Sequence, residues 1–142
     1  MGRVARKRPC NDCPFRRNAR PGWTGDATPA EHVWATENND GDMPCHVAVD
    51  YHDPNWRETL DNVAFCAGGM IYLRNTMKTP RDPDQAAIVR QYEKSPDVFQ
   101  WPWEFLSHHL GRDVSIDEAM DMLREARNEA VKRAYPEVYR KD

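Results

Sequence analysis

Pro9-Cys10-Asn11-Asp12-Cys13-Pro14-Phe15-Arg16-Arg17 is the stretch on which the fold turns. Cys10 and Cys13 stand at the knuckle spacing that lets two thiolates face one centre while backbone N–H groups point at the sulfurs. Pro14 lacks an N–H and has a fixed φ, so it turns the chain away from the second thiol. Two further cysteines complete the four, and each arrives alone. Pro44-Cys45-His46 lies 32 residues beyond Cys13, and Cys66-Ala67-Gly68-Gly69 begins 21 residues further on. A chain that gathers these four must wrap its first half around whatever they bind.

The setting decides between disulfides and ligands. No run approaches the roughly 20 apolar residues of a bilayer span. The start, Met1-Gly2-Arg3-Val4-Ala5-Arg6-Lys7-Arg8, has charge without an apolar run, so it does not read as a signal peptide. Arg6 stands where a myristoylation motif carries Ser or Thr. The expected localisation is therefore cytoplasmic, with no membrane association. In a reducing compartment, thiols serve as metal ligands more readily than as disulfides.

A structural zinc site draws on two knuckles, and this chain has one. A cubane is larger than a single ion and accepts ligands from separated segments, which favours a 4Fe-4S cluster on Cys10, Cys13, Cys45 and Cys66. A zinc ion on the same ligands is the alternative. His46 directly follows Cys45 and is read as a second-shell donor to a sulfur; a direct Cys/His ligand mixture would favour zinc. Gly68 and Gly69 permit close backbone approach to a bulky inorganic core. A helix starting at Cys66 would stabilise its thiolate through the helix dipole.

The rest of the chain reads as helices. With 39% hydrophobic and 30% charged residues and a mean hydropathy of −0.90, the apolar core is thin, so a staple contributes noticeably to stability. Thr28-Pro29-Ala30-Glu31 carries a capping residue, a proline for the first helical position and a box-closing glutamate. That predicts a helix to about residue 37. Further helices are expected from about 66 to 77, 84 to 93 and 103 to 110, the last ended by Gly111. Ser115-Ile116-Asp117-Glu118 opens the clearest helix, to about residue 134, with Ile116, Ala119, Leu123, Ala126, Ala130 and Ala134 on one stripe. Val47 and Val49 fit a short extended piece, and no period-2 strand is convincing. The expected fold is mainly α: one small domain over 1–142. Its loop-rich N-terminal half (1–80) is organised around a four-cysteine metal centre, and residues 81–142 form a helical C-terminal part.

Charge is distributed unevenly. Residues 1–20 carry seven Lys/Arg against Asp12, while residues 21–62 carry nine Asp/Glu against Arg57. The basic segment 3–20 reads first as offsetting the charge of a thiolate-bound centre and of the acidic middle segment; the alternative is a face towards the phosphates of a nucleic acid or towards an acidic protein. Other candidates are weaker. His108 and His109 point about 100° apart on a helix, so one buried and one exposed is expected. His32 and His52 have no partner at useful spacing. Trp23, Trp34, Trp56, Trp101 and Trp103 are expected mostly in the core, with a stacking surface for single strands as the alternative. Asp40, Asp42, Asp50 and Asp53 do not have EF-hand spacing. No phosphate cradle, nucleophile elbow or paired-carboxylate motif is present.

Taken together, Cys10-x-x-Cys13-Pro14-Phe15-Arg16-Arg17, Pro44-Cys45-His46 and Cys66-Ala67-Gly68 resemble a family of small four-cysteine proteins carried largely by bacteriophages of actinobacteria and some of their hosts. The resemblance covers about residues 8–72. It implies a phage-encoded protein working in host cytoplasm with a shared metal site, and it implies no reaction. The WhiB-like iron–sulfur regulators differ, with cysteines more closely packed and a Gly-Trp-rich turn after them. The expected function is thus a 4Fe-4S accessory protein, the cluster structural or redox-sensing, acting on host transcription or nucleic-acid metabolism. A zinc-stapled binding module is one alternative. A metalloenzyme with one open coordination site, His46 taking part, is another.

Overall fold

The computed structural model describes residues 13–22, 24, 27–38, 52, 54–55, 67–80 and 83–135. Among these described residues five helices follow in order: α1 (Pro29–Asn38), α2 (Ala67–Thr76), α3 (Pro83–Arg90), α4 (Pro102–Leu110) and α5 (Ile116–Ala134). The fold is mainly α, a small single domain. Among the described residues there is no strand, only an isolated antiparallel bridge between Arg16 and Val98. Val47 and Val49 lie outside the described residues.

The starts of α1, α3, α4 and α5 follow local signals in the sequence. Thr28 Oγ1 accepts the Glu31 N–H at 3.2 Å and so caps α1, while its hydroxyl donates to the Glu31 carboxylate at 2.9 Å, a side-chain bond in place of the backbone half of a capping box. Pro83 and Pro102 occupy first helical positions, where the missing N–H costs nothing. Ser115 Oγ accepts the Glu118 N–H at 3.1 Å, but the Glu118 carboxylate goes to Arg112 at 2.7 Å. α2 ends on Met77, at φ 61°, with Lys78 N–H donating to the Leu73 carbonyl at 3.0 Å. Gly111, at φ 70°, ends α4 in the same left-handed region.

α1 packs against α5 and α4, and α2 against α3 and α1. Where they converge sits Phe15, fully buried, its ring 5.0 Å from Phe105 and 5.2 Å from both Tyr72 and His32. His32, read from the sequence as having no useful partner, stacks parallel to Phe105 at 5.7 Å. The Tyr72 hydroxyl donates to the Glu37 carboxylate, tying α2 to α1. Burial and the adjacent Glu37 charge hold that phenol above its ordinary pKa.

One expectation is corrected. The α5 stripe is buried only through its middle: Ala119 and Ala126 are covered, Leu123 and Ala130 partly so, while Ile116 is 55% exposed and Ala134 is exposed. The reason is length: α5 has 19 residues, whereas α1 and α4, which cover it, have 10 and 9. The tryptophans divide: Trp34 and Trp103 pack partly buried on the core, and Trp101 is 40% exposed, stacked on Trp103 at 5.1 Å. Trp23 and Trp56 lie outside the described residues. In denaturant melts, Phe15→Ala is expected to cost about 3–5 kcal/mol. Ile116→Ala is expected to cost less than about 0.5 kcal/mol; a comparable loss for both would place the core elsewhere.

Candidate metal centre

Cys13 is 1% exposed, and its sulfur lies against the first turn of α2. A Cβ on Gly68 would overlap that sulfur and come within 3.2 Å of Phe15 Cβ. Gly68 is therefore the position where a missing side chain admits the cysteine loop. The contact joins two of the three sequence motifs: Cys13-Pro14-Phe15 rests on the glycine two residues after Cys66. Cys10, Cys45, Cys66 and His46, the expected donor to a sulfur, lie outside the described residues, as do Asp40, Asp42, Asp50 and Asp53. Among the described residues, no three His, Cys, Asp or Glu side chains gather to hold a metal ion.

The Cys13 loop is built by short-range turns and held by long-range clamps. Arg16 N–H donates to the Cys13 carbonyl at 3.2 Å, with Pro14 at the second turn position, where its fixed φ suits the bend. Ala19 N–H then donates to the Arg16 carbonyl at 3.0 Å. Outward, Phe99 N–H donates to Phe15 O at 3.0 Å and Arg17 N–H to Asp97 O at 2.9 Å. The segment 95–99 that receives them is itself fixed by Asn75. Its Nδ2 donates towards the carbonyls of Ser95, Val98 and Phe99 at 2.9, 3.1 and 3.2 Å, and its Oδ1 accepts the Ser95 N–H at 3.0 Å. α2 thus holds the Cys13 loop twice, directly at Gly68 and through Asn75 at its other end.

The two adjacent histidines of α4 take the remaining anchor points. His109 is buried; its Nδ1 accepts the Gly22 N–H at 3.0 Å, so its proton sits on Nε2, which donates to the Pro14 carbonyl at 2.8 Å. Burial, with the neighbouring His108, holds the imidazole below the usual histidine pKa, against the opposing pull of the Pro14 carbonyl. His108 is half-buried where exposure was expected, because its Nε2–H donates to the Ala19 carbonyl. His52 is exposed.

The basic segment is partly absorbed into the fold. Arg17 donates to the Glu104 carboxylate at 2.7 Å and to the Pro96 carbonyl at 2.8 Å, with its guanidinium 5.7 Å from the Phe99 ring centre. Glu104 Oε1 also accepts the N–H groups of Gln100 and Trp101 at 2.9 and 3.0 Å, capping α4. Burial acts to raise the Glu104 carboxyl pKa, but Arg17 and those two N–H groups outweigh it and hold the group below its ordinary value.

None of these clamps was singled out from the sequence. Asn75 and its partners are separated by 20 to 24 residues, and the histidines and theirs by 87 to 95. The only local signal was the histidine doublet beside a proline-rich aromatic run. No helix among the described residues is long and apolar enough to cross a membrane. Comparison with protein-family models, curated proteins and solved structures finds no match.

Two outcomes follow from this geometry. Gly68→Ala should destabilise the chain by about 1–3 kcal/mol, the range of core overpacking. In a Cys13→Ala background the same change should cost measurably less, because the overlapping sulfur is gone; full additivity in thermal melts contradicts the contact. For Glu104, the folded carboxyl pKa lies below the unfolded one, so its stability is present above the unfolded pKa of about 4.3. It is lost as pH falls through the folded value. Glu104→Gln should flatten that part of the acid stability profile, and an unchanged profile would discount the ion pair.

Proposed function

We propose that this chain is a 4Fe-4S accessory protein in which Cys10, Cys13, Cys45 and Cys66 hold one cluster and His46 donates to a sulfur. The observation that carries the reading is the Cys13 sulfur seated on Gly68, which supports a common centre for the first and third cysteine motifs. Cys66 adjoins Ala67, the first residue of α2, where a helix N-terminus favours negative charge. A buried thiol beside a helix start suits a soft, anionic ligand set.

When bound, the cluster supplies either a structural cross-link or a one-electron redox centre. What the chain contributes is placement. The Pro14 turn and the His109 and Asn75 clamps fix the Cys13 backbone, Gly68 removes the obstruction, and the Phe15 core keeps water from that side of the sulfur. Four protein ligands leave no iron open, so the role is structural or redox-sensing. The proposed setting is host cytoplasm, as a phage-encoded protein bearing on host transcription or nucleic-acid metabolism. Its basic segment 3–20 is the face offered to a host protein or nucleic acid, with the Arg17 charge already paired with Glu104 at the surface.

Anaerobic purification tests the cofactor. Brown protein with a broad absorption band near ~400 nm and iron and sulfide in equal amounts is expected. Each single Cys→Ala substitution should abolish the band. Colourless protein with stoichiometric zinc would replace the cluster with a zinc staple, and one dispensable cysteine would overturn four-thiolate ligation.

A further inference from the structure

The two imidazoles of α4 do different things to one loop. His108 and His109 stand 5.1 Å apart with ring planes at 88°, so neighbouring residues on one helix reach separate points of the chain. His108 holds the Ala19 carbonyl, near the loop's far end. His109 holds two points at once: Gly22 through Nδ1 and Pro14 through Nε2. Phe105 fixes the His109 ring from one side at 4.5 Å, and Phe99 lies edge-on at 6.4 Å.

The Pro14 bond has a consequence that the Gly22 bond lacks. Pro14 is covalently next to Cys13, its φ is locked by the ring, and its carbonyl is held at 2.8 Å. The Pro14–Phe15 peptide is therefore held from α4, and the locked φ of Pro14 limits how the preceding Cys13–Pro14 peptide can turn relative to it. The Cys13 carbonyl is occupied by the Arg16 N–H, so the backbone on that side of the thiol is held as well. On its other side the sulfur meets the bare backbone of Gly68. Rotation of the Cys13–Pro14 unit away from α4 would lift the sulfur off α2.

We infer that His109 is a positioning residue for Cys13, which through the Pro14 carbonyl keeps the thiol seated on Gly68 and sets how readily that thiol reacts or exchanges. The consequence for a bound centre rests on the proposed ligand role of Cys13. The placement itself is testable without any metal.

Two substitutions separate the bonds, because each amide matches one ring nitrogen. His109→Gln carries its N–H₂ about as far from the backbone as Nε2 and can still donate to Pro14. His109→Asn reaches only to the level of Nδ1, where it can accept from Gly22 but not reach Pro14. Metal-free whole chain is treated with iodoacetamide, and modification at each cysteine is followed by mass spectrometry. Cys13 in His109→Gln should react within about threefold of the unsubstituted chain, and in His109→Asn about tenfold faster, the order expected for losing one buried hydrogen bond that holds a local opening shut.

Equal acceleration in both variants, or none in either, would overturn the inference. So would loss of the helical circular-dichroism signal in His109→Asn, since the residue would then support the fold as a whole. Chelator challenge after reconstitution with iron and sulfide is the second arm. Faster metal loss in His109→Asn alone supports both the positioning role and the ligand reading. A split in Cys13 reactivity in a chain that takes up no metal supports the positioning role and removes the ligand reading.

Discussion

The absence of a side chain at Gly68 is the constraint on which the arrangement depends. It lets a buried thiol reach the first turn of a helix, and with the thiol comes Phe15, whose ring closes the core between α1, α2 and α4. A methyl group there meets sulfur on one side and the Phe15 Cβ on another. The cysteine loop and the hydrophobic centre are consequently one object. Anything that moves Cys13 off α2 disturbs the packing around Phe15, and any loosening of Phe15 releases the sulfur.

A chain this polar cannot hold such a loop by apolar burial alone. It uses side chains that bond the backbone of a distant segment: Asn75 to residues 95–99, His109 to Pro14 and Gly22, His108 to Ala19, and Arg17 to Pro96. Buried backbone carbonyls in irregular segments need such partners, since no helix or sheet supplies them. The loop 13–22 is thereby tied to α4 and to the segment 95–99. The proposed ligand role of Cys13 calls for such ties, because outer hydrogen bonds orient a donor towards the centre it serves.

The helices were legible in the sequence, and for local reasons. Thr28-Pro29-x-Glu31 and Ser115 mark two starts, Gly111 marks a stop, and α5 matches its expected bounds because its cap is encoded within a few residues. Expectation failed where the answer depended on distance in the fold. The α5 stripe read as apolar over its whole length, yet its ends outrun the shorter helices that cover it. Glu104 caps α4 and binds Arg17, an interaction spanning 87 residues with no periodic trace. Of the site, the sequence read Gly68 and Gly69 as places of close backbone approach, but to an inorganic core. It did not show that the approaching group is Cys13 itself, nor that His109 stands behind it.

The central claim is that Cys13 and the other three thiols form one sulfur-only centre. X-ray absorption at the iron edge, on anaerobically purified whole chain, addresses it most directly. The account predicts four-coordinate iron with only sulfur in its nearest shell and iron–iron scattering beyond it. An edge showing no iron, or nitrogen and oxygen neighbours in place of a thiolate, would contradict it.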